Sequence, residues 1–256
     1  MTAGHAALGI LVGFVSGVLS GLFGVGGGIV MTPGIQVLLG APPIVSLATP
    51  LPAILPTAAT GAATYQRSGE VDVRAALWMA VPGVAAAAAG AALTVVVDTH
   101  LLLVATALLL LYQALGILRG TDAPRPATER TIPAATYAAI GIVAGFVSGL
   151  LGIGGGLVIV PFLAGMLGTP LKRALGTSLL AIVVLVVPGT VVHTLLGHID
   201  WAIFATVTIG AVPGARLGAG VALGTRERTL RMLVGSFLLV VAVAYGLDEL
   251  ITLVRR

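Results

Sequence analysis

The 256-residue chain contains no cysteine. Its absence excludes disulfides, thiolate nucleophiles, cysteine metal sites and any relay of substrate between thiols. Charge is nearly as scarce, with 9% Asp, Glu, Lys and Arg against 58% hydrophobic residues. Mean hydropathy is +1.13. So little polar surface cannot cover a water-soluble globule, and the composition is that of an integral membrane protein. The nine acids, Glu70, Asp72, Asp98, Asp122, Glu129, Asp200, Glu227, Asp248 and Glu249, fall in loops or near predicted helix ends. With no carboxylate at the membrane centre, the pattern argues against a cation pathway and against a buried proton relay. The four His, at 5, 100, 193 and 198, have no ligand spacing. A metal or paired-carboxylate enzyme is therefore not expected, nor is any metal or cofactor. The net charge of +4 sits in loops between apolar runs. It is read as setting orientation and touching anionic lipid headgroups, not nucleic acid.

What the chain does have is glycine, in a pattern written twice. Gly13 to Pro33, GFVSGVLSGLFGVGGGIVMTP, returns at an offset of 128 as Gly141 to Pro161, GIVAGFVSGLLGIGGGLVIVP, with twelve of 21 positions identical. Each copy puts a Gly-x-Gly-Gly-Gly break, Gly24 to Gly28 and Gly152 to Gly156, inside an apolar run, where glycine favours unwound backbone. Paired Gly-broken segments in matching halves point to a transporter's binding site. Residues 5 to 22 lack a basic leader region and recur in mid-chain, so they are read as mature structure.

The chain has room for roughly eight to ten segments of about 20 residues and little else. The expectation is one all-α membrane transporter domain over 1–256. It has a first repeat at about 5–118, a linker at about 119–133 and a second repeat at about 134–254. Helices are predicted at about 43–66, 74–97 and 99–118, and at 171–196, 201–222 and 229–254. The linker, RGTDAPRPATERTIP, carries three Arg, two acids and three Pro, the marks of an extramembrane connection. Matching loops disagree in basic residues. The turn at 40–43 has none where its counterpart has Lys172 and Arg173; Arg67 and Arg74 face a counterpart with only His198; the turn at 98–100 has none where Arg226, Arg228 and Arg231 follow later. Cytoplasmic loops collect Lys and Arg, so the repeats are expected to be inverted. Each would be a Gly-broken hairpin of two short helices plus three spanning helices, about ten helical segments in all.

Glycine tips at membrane depth leave backbone N–H groups that must face protein, water or ligand. Helices starting near Gly28 and Gly156 would turn their positive ends to the middle, which suits an anion. Substrate-binding candidates are Gly24, Gly26, Gly27 and Gly28 with Ser20 and Thr49 in the first half. In the second half they are Gly152, Gly154, Gly155 and Gly156 with Ser148, Thr177 and Ser178. Membrane Ser and Thr also bond their own helix carbonyls, which is the alternative for each hydroxyl. Gly13, Gly17 and Gly21, and Gly141, Gly145 and Gly149, at four-residue spacing, are read as close helix packing instead. Arg216 and His193 are accessory candidates. Arg216, inside a predicted helix, reads as snorkelling to the interface or touching substrate; His193 reads as an interfacial His or a proton carrier.

The duplicated Gly-x-Gly-Gly-Gly followed by Pro33 or Pro161, Leu-Gly-Thr-Ser-Leu at 175–179, Gly-His-Ile-Asp-Trp at 197–201 and Gly214-Ala-Arg-Leu-Gly218 together resemble the TauE/SafE sulfite exporter family, over nearly the whole chain. The resemblance implies a multi-pass transporter of the prokaryotic inner membrane for sulfur-containing anions such as sulfite, sulfoacetate or other organosulfonates. Thr177 and Ser178 match that family's Thr-Ser, whereas the first half reads Thr49-Pro50, so the two half-sites are expected to be chemically unequal. Expected partners are a small anionic substrate and the lipid bilayer. A homo-oligomer and a coupling ion, proton or other, stay open. The alternatives are an anion channel and a carrier of a non-sulfur organic anion.

Overall fold

The computed structural model describes residues 3–93, 108, 111–112, 114–116, 118, 132–151 and 154–254. Helix α1 (Ala3–Phe23) stops at Gly24, whose φ of 70° is left-handed and whose amide bonds the Ser20 carbonyl at 2.8 Å. This is a glycine helix end. Gly26 and Gly27 follow at φ 82° and 81°, a run that side chains resist. From it starts α2 (Gly28–Leu38). Next come α3 (Pro43–Ala48), α4 (Pro50–Arg67) and α5 (Val73–Leu93). The second copy opens with α6 (Ala134–Leu151). Gly154 and Gly155, at φ 85° and 73°, lead into α7 (Gly156–Pro161) and a π-helical turn over Phe162–Met166. Pro161 has no N–H to give the helix ladder, and the wider turn begins directly after it. Helices α8 (Leu171–Leu185), α9 (Val187–Leu195), α10 (Trp201–Gly224) and α11 (Glu227–Val254) complete the described chain.

Among the described residues, five stretches are long and apolar enough to cross a membrane: Gly4–Phe23, Pro43–Arg67, Val73–Leu93, Leu171–Leu195 and Trp201–Gly224. The fold is thus all-α and multi-spanning. The expected helix at 43–66 is divided at Thr49, ahead of Pro50, and that at 171–196 at Val186, ahead of Pro188. Proline removes a ladder bond in each. Helices α10 and α11 answer their predictions with ends within two residues, and α5 answers the one at 74–97 as far as the described residues run, to Leu93. The first arm of the first Gly-broken region is a 21-residue helix, longer than the short arm expected. The predicted helix at 99–118 and the linker lie mostly outside the described residues.

Packing rests on glycine. Helix α1 lies along α10, and α6 along α5. A Cβ on Gly13, Gly17 or Gly21 would strike the carbonyls of Val207, Ala211 and Ala215; one on Gly141, Gly145 or Gly149 would strike those of Met79, Gly83 and Ala87. Every pair in the second set is the first displaced by 128. Bare glycine lets backbones touch, which is how membrane helices gain dispersion contact where burial from water supplies nothing. Helix α2 runs back beside α1. Positions for a Cβ on Gly34 and on Gly27 lie 2.6 Å from Val12 Cγ1 and 3.4 Å from Ser20 Cβ. Between the two outer pairs, α4 and α8 meet in the buried core with Ile54, Leu175, Leu179 and Ile182.

Candidate functional site

The two glycine tips meet in that core. Gly24, Gly26, Gly27, Gly28, Gly154, Gly155 and Gly156 are all buried. A Cβ on Gly156 would lie 2.5 Å from the Gly24 carbonyl oxygen and 2.7 Å from Val25 Cα. One on Gly26 would sit 3.2 Å from Ile182 Cγ2 and 3.3 Å from Ile54 Cγ2, and one on Gly154 3.3 Å from the same Ile182 carbon. Ile54 and Ile182 are themselves related by the offset of 128, so the tips close on a matched isoleucine pair. Gly152 lies outside the described residues.

Three of the predicted hydroxyls join the tips. Ser20, fully buried, flanks Gly27; Ser148, 3% exposed, flanks Gly155, where a Cβ would come within 3.3 Å of the serine Cβ. Ser178 Oγ donates to the Gly24 carbonyl at 2.9 Å. The position matching Ser178 is Pro50, which has no hydroxyl to give, so this bond has no counterpart at the offset of 128.

The two threonines make matched long-range bonds. Thr177 Oγ1 accepts the Asp72 amide at 2.9 Å, and Thr49 Oγ1 accepts the Asp200 amide at 3.1 Å. These bonds are again one pair displaced by 128. Each tethers the loop before a long helix in the opposite half, while Asp200 caps its own helix through Ala202 and Ile203 N–H, both at 2.9 Å. The threonines thus brace the loops that lead into α5 and α10.

The accessory candidates stand apart from the tips. Arg216 is exposed, while Gly214 and Gly218 on the same helix face the α1 carbonyls of Phe14 and Val18. His193 lies in the last turn of α9, its Nδ1 3.1 Å from Nδ1 of His198. One ring donates and the other accepts in that pair. Among the described residues no cluster of three or more His, Cys, Asp or Glu could hold a metal ion.

Sequence reasoning passed over two residues here. Tyr65, fully buried, donates its hydroxyl to the Gly21 carbonyl at 2.9 Å; its only signal was a lone tyrosine in an apolar helix. Ser16, fully buried one turn before Ser20, faces Gly27 with its carbonyl 3.2 Å from the Cβ position there. Its counterpart is Ala144, so the repeat hid it. At one end of the bundle His5, Leu39, Ala41, Pro42, Val45, Asp200 and Ile203 line a half-open pocket of about 440 Å³.

Fold and packing define the class: a multi-spanning α-helical membrane protein whose centre is broken backbone with hydroxyls and, among the described residues, no ionised side chain. The description of the family whose model matches residues 9–245 is "Sulfite exporter TauE/SafE", and the chain belongs to that family of membrane transporters. It is accordingly a multi-pass protein of the prokaryotic cell membrane and not an enzyme. It is 27% identical to the probable membrane transporter protein YunE of Bacillus subtilis, over 91% of this chain and 94% of that one. Identity to a probable membrane transporter protein of Xylella fastidiosa is 31%, over 91% and 90%. A further probable membrane transporter of Methanocaldococcus jannaschii is 25% identical over 90% and 91%. No solved structure matches.

Proposed function

We propose that the protein carries a small sulfur-containing anion, such as sulfite, sulfoacetate or another organosulfonate, by alternating access around the two glycine tips. The observation that carries this reading is the meeting of two left-handed glycine runs in a buried centre that holds hydroxyls and, among the described residues, no carboxylate. Amide N–H groups and hydroxyls there favour negative charge, and no carboxylate opposes it. The family's description supplies the sulfur chemistry.

The reading includes two inverted repeats, about 5–118 and 134–254, each opening with a Gly-broken hairpin. Its support is the doubled contact set together with the placement of the loops. Leu39, Ala41 and Pro42 share a pocket with His5 and Asp200. Their counterparts belong with the other end, where the Asp72 amide meets Thr177, Leu171 N–H meets Glu227 Oε1 at 3.3 Å and Lys172 Nζ meets the Leu223 carbonyl at 2.6 Å. That second end carries Arg67, Arg74, Lys172, Arg173, Arg226, Arg228 and Arg231, and would face the cytoplasm. Rocking of one repeat on the other would open the tips to each side in turn.

Purified protein in liposomes should take up radiolabelled sulfite saturably and show counterflow when preloaded with unlabelled sulfite. Flux that stays linear with concentration and shows no counterflow would make it a channel. Counterflow with carboxylates but with no sulfur anion would remove the substrate class.

A further inference from the structure

Several helix threonines in this protein bond back to a carbonyl one turn earlier. Thr57 reaches Ala53 at 2.6 Å, Thr60 reaches Pro56 at 2.8 Å, Thr190 reaches Val186 at 2.9 Å and Thr194 reaches Thr190 at 2.7 Å. Ser16 and Ser20 do not. Both are 0% exposed and neither Oγ has a partner. A buried, unpaired hydroxyl is a standing cost to the fold, and two of them one turn apart on one face of α1 are a pattern. That face lies against the start of α2. Gly27 passes it with its Cβ position 3.2 Å from the Ser16 carbonyl and 3.4 Å from Ser20 Cβ. Helix α2 runs for eleven residues, and its internal bonding begins only with the Val30 and Met31 amides on the Gly27 carbonyl. The amides of Gly28 and Ile29 precede that ladder and point out of the helix end.

We infer that the oxyanion is held at the first tip alone, by the hydroxyls of Ser16 and Ser20 together with the opening amides of α2, and that the second tip serves as a wall. This rests on the anion-carrier reading above and sharpens it. Among its described residues the second tip has matching opening amides and Ser148, but Ala144 stands where Ser16 stands, and α7 is six residues long before its backbone widens at Phe162. The first tip is also the one fixed in place, by Ser178 on the Gly24 carbonyl and Tyr65 on the Gly21 carbonyl. Their counterparts, Pro50 and His193, offer no such hydroxyl. Two hydroxyls beside two amides suit an anion with several terminal oxygens. A halide, with one centre, engages fewer of them.

The test is ligand-induced thermal stabilisation of the full-length protein in mild detergent, titrated with sulfite and with chloride, for wild type, Ser16→Ala, Ser20→Ala and Ser148→Ala. Alanine fits, since the matching site already carries Ala144. Expected are an apparent sulfite Kd raised about ten-fold or more in either first-tip variant, a change of less than about two-fold in Ser148→Ala, and an unliganded Tm in Ser16→Ala equal to or above wild type. Equal losses in Ser16→Ala and Ser148→Ala, or no loss in both first-tip variants, would overturn the one-tip site and leave the carrier reading standing. If sulfite stabilises no form and liposome flux is also absent, both fall.

Discussion

Thr49 and Thr177 are matched residues that each receive a backbone amide from the loop of the opposite half. Replacing either with valine keeps shape and removes the acceptor, leaving a part-buried N–H unpaired, at a cost of about 1–3 kcal/mol. Thr177→Val and Thr49→Val should therefore lower Tm by similar amounts in detergent. A drop in one alone would show that the two braces differ in weight. Tyr65→Phe should cost less, about 0.5–1.5 kcal/mol, because the Gly21 carbonyl loses only a neutral hydrogen bond. These roles were only partly legible. That Thr49 and Thr177 matter could be read from their repetition; that they accept loop amides could not, because Asp72 and Asp200 are distant in sequence and nothing local marks them as partners. Ser16 was hidden for the opposite reason, since repetition was the guide and Ser16 has no repeat.

At the scale of the element, glycine spacing told the truth. Gly13, Gly17 and Gly21 read as packing from their period of four, and each sits on a carbonyl of α10. Gly17→Leu and Gly145→Leu should each force their helix pairs apart, costing more than the about 1–3 kcal/mol usual for overpacking, since the obstacle is backbone and cannot rotate away. Size-exclusion profiles of the detergent-solubilised variants check this, with aggregated or absent peaks expected for both. The tips were legible too, because four glycines within five residues weaken a helix enough to break an apolar run wherever they fall. The breaks at Thr49 and Val186 were not. Membrane helices tolerate proline, and whether a given one divides a helix depends on what its neighbours offer the freed carbonyl.

Over the whole molecule, a set of contacts recurs at an offset of 128, among them the glycine–carbonyl pairs and the two threonine bonds, while those of Ser178 and Tyr65 do not. What sequence does not convey is that the halves are interleaved, α1 lying on α10 and α6 on α5. Cut within the linker at 119–133, the two pieces should each fail to give a monodisperse peak alone and should give one when made together in the same cells. A stable first piece by itself would mean that α1 has a second way to cover its glycine face.

That interleaving sets an order of assembly during synthesis. Helix α1 leaves the ribosome first, yet the carbonyls its glycines rest on, from Val207 to Ala215, belong to the penultimate described helix. At about 5–20 residues per second the wait is roughly 10–40 s. Helix α6 has no such delay, because α5 is already in the bilayer when it arrives. The nascent chain therefore completes one outer wall early and carries the other, the face with Gly13, Gly17 and Gly21, half-built in lipid until its last quarter is made.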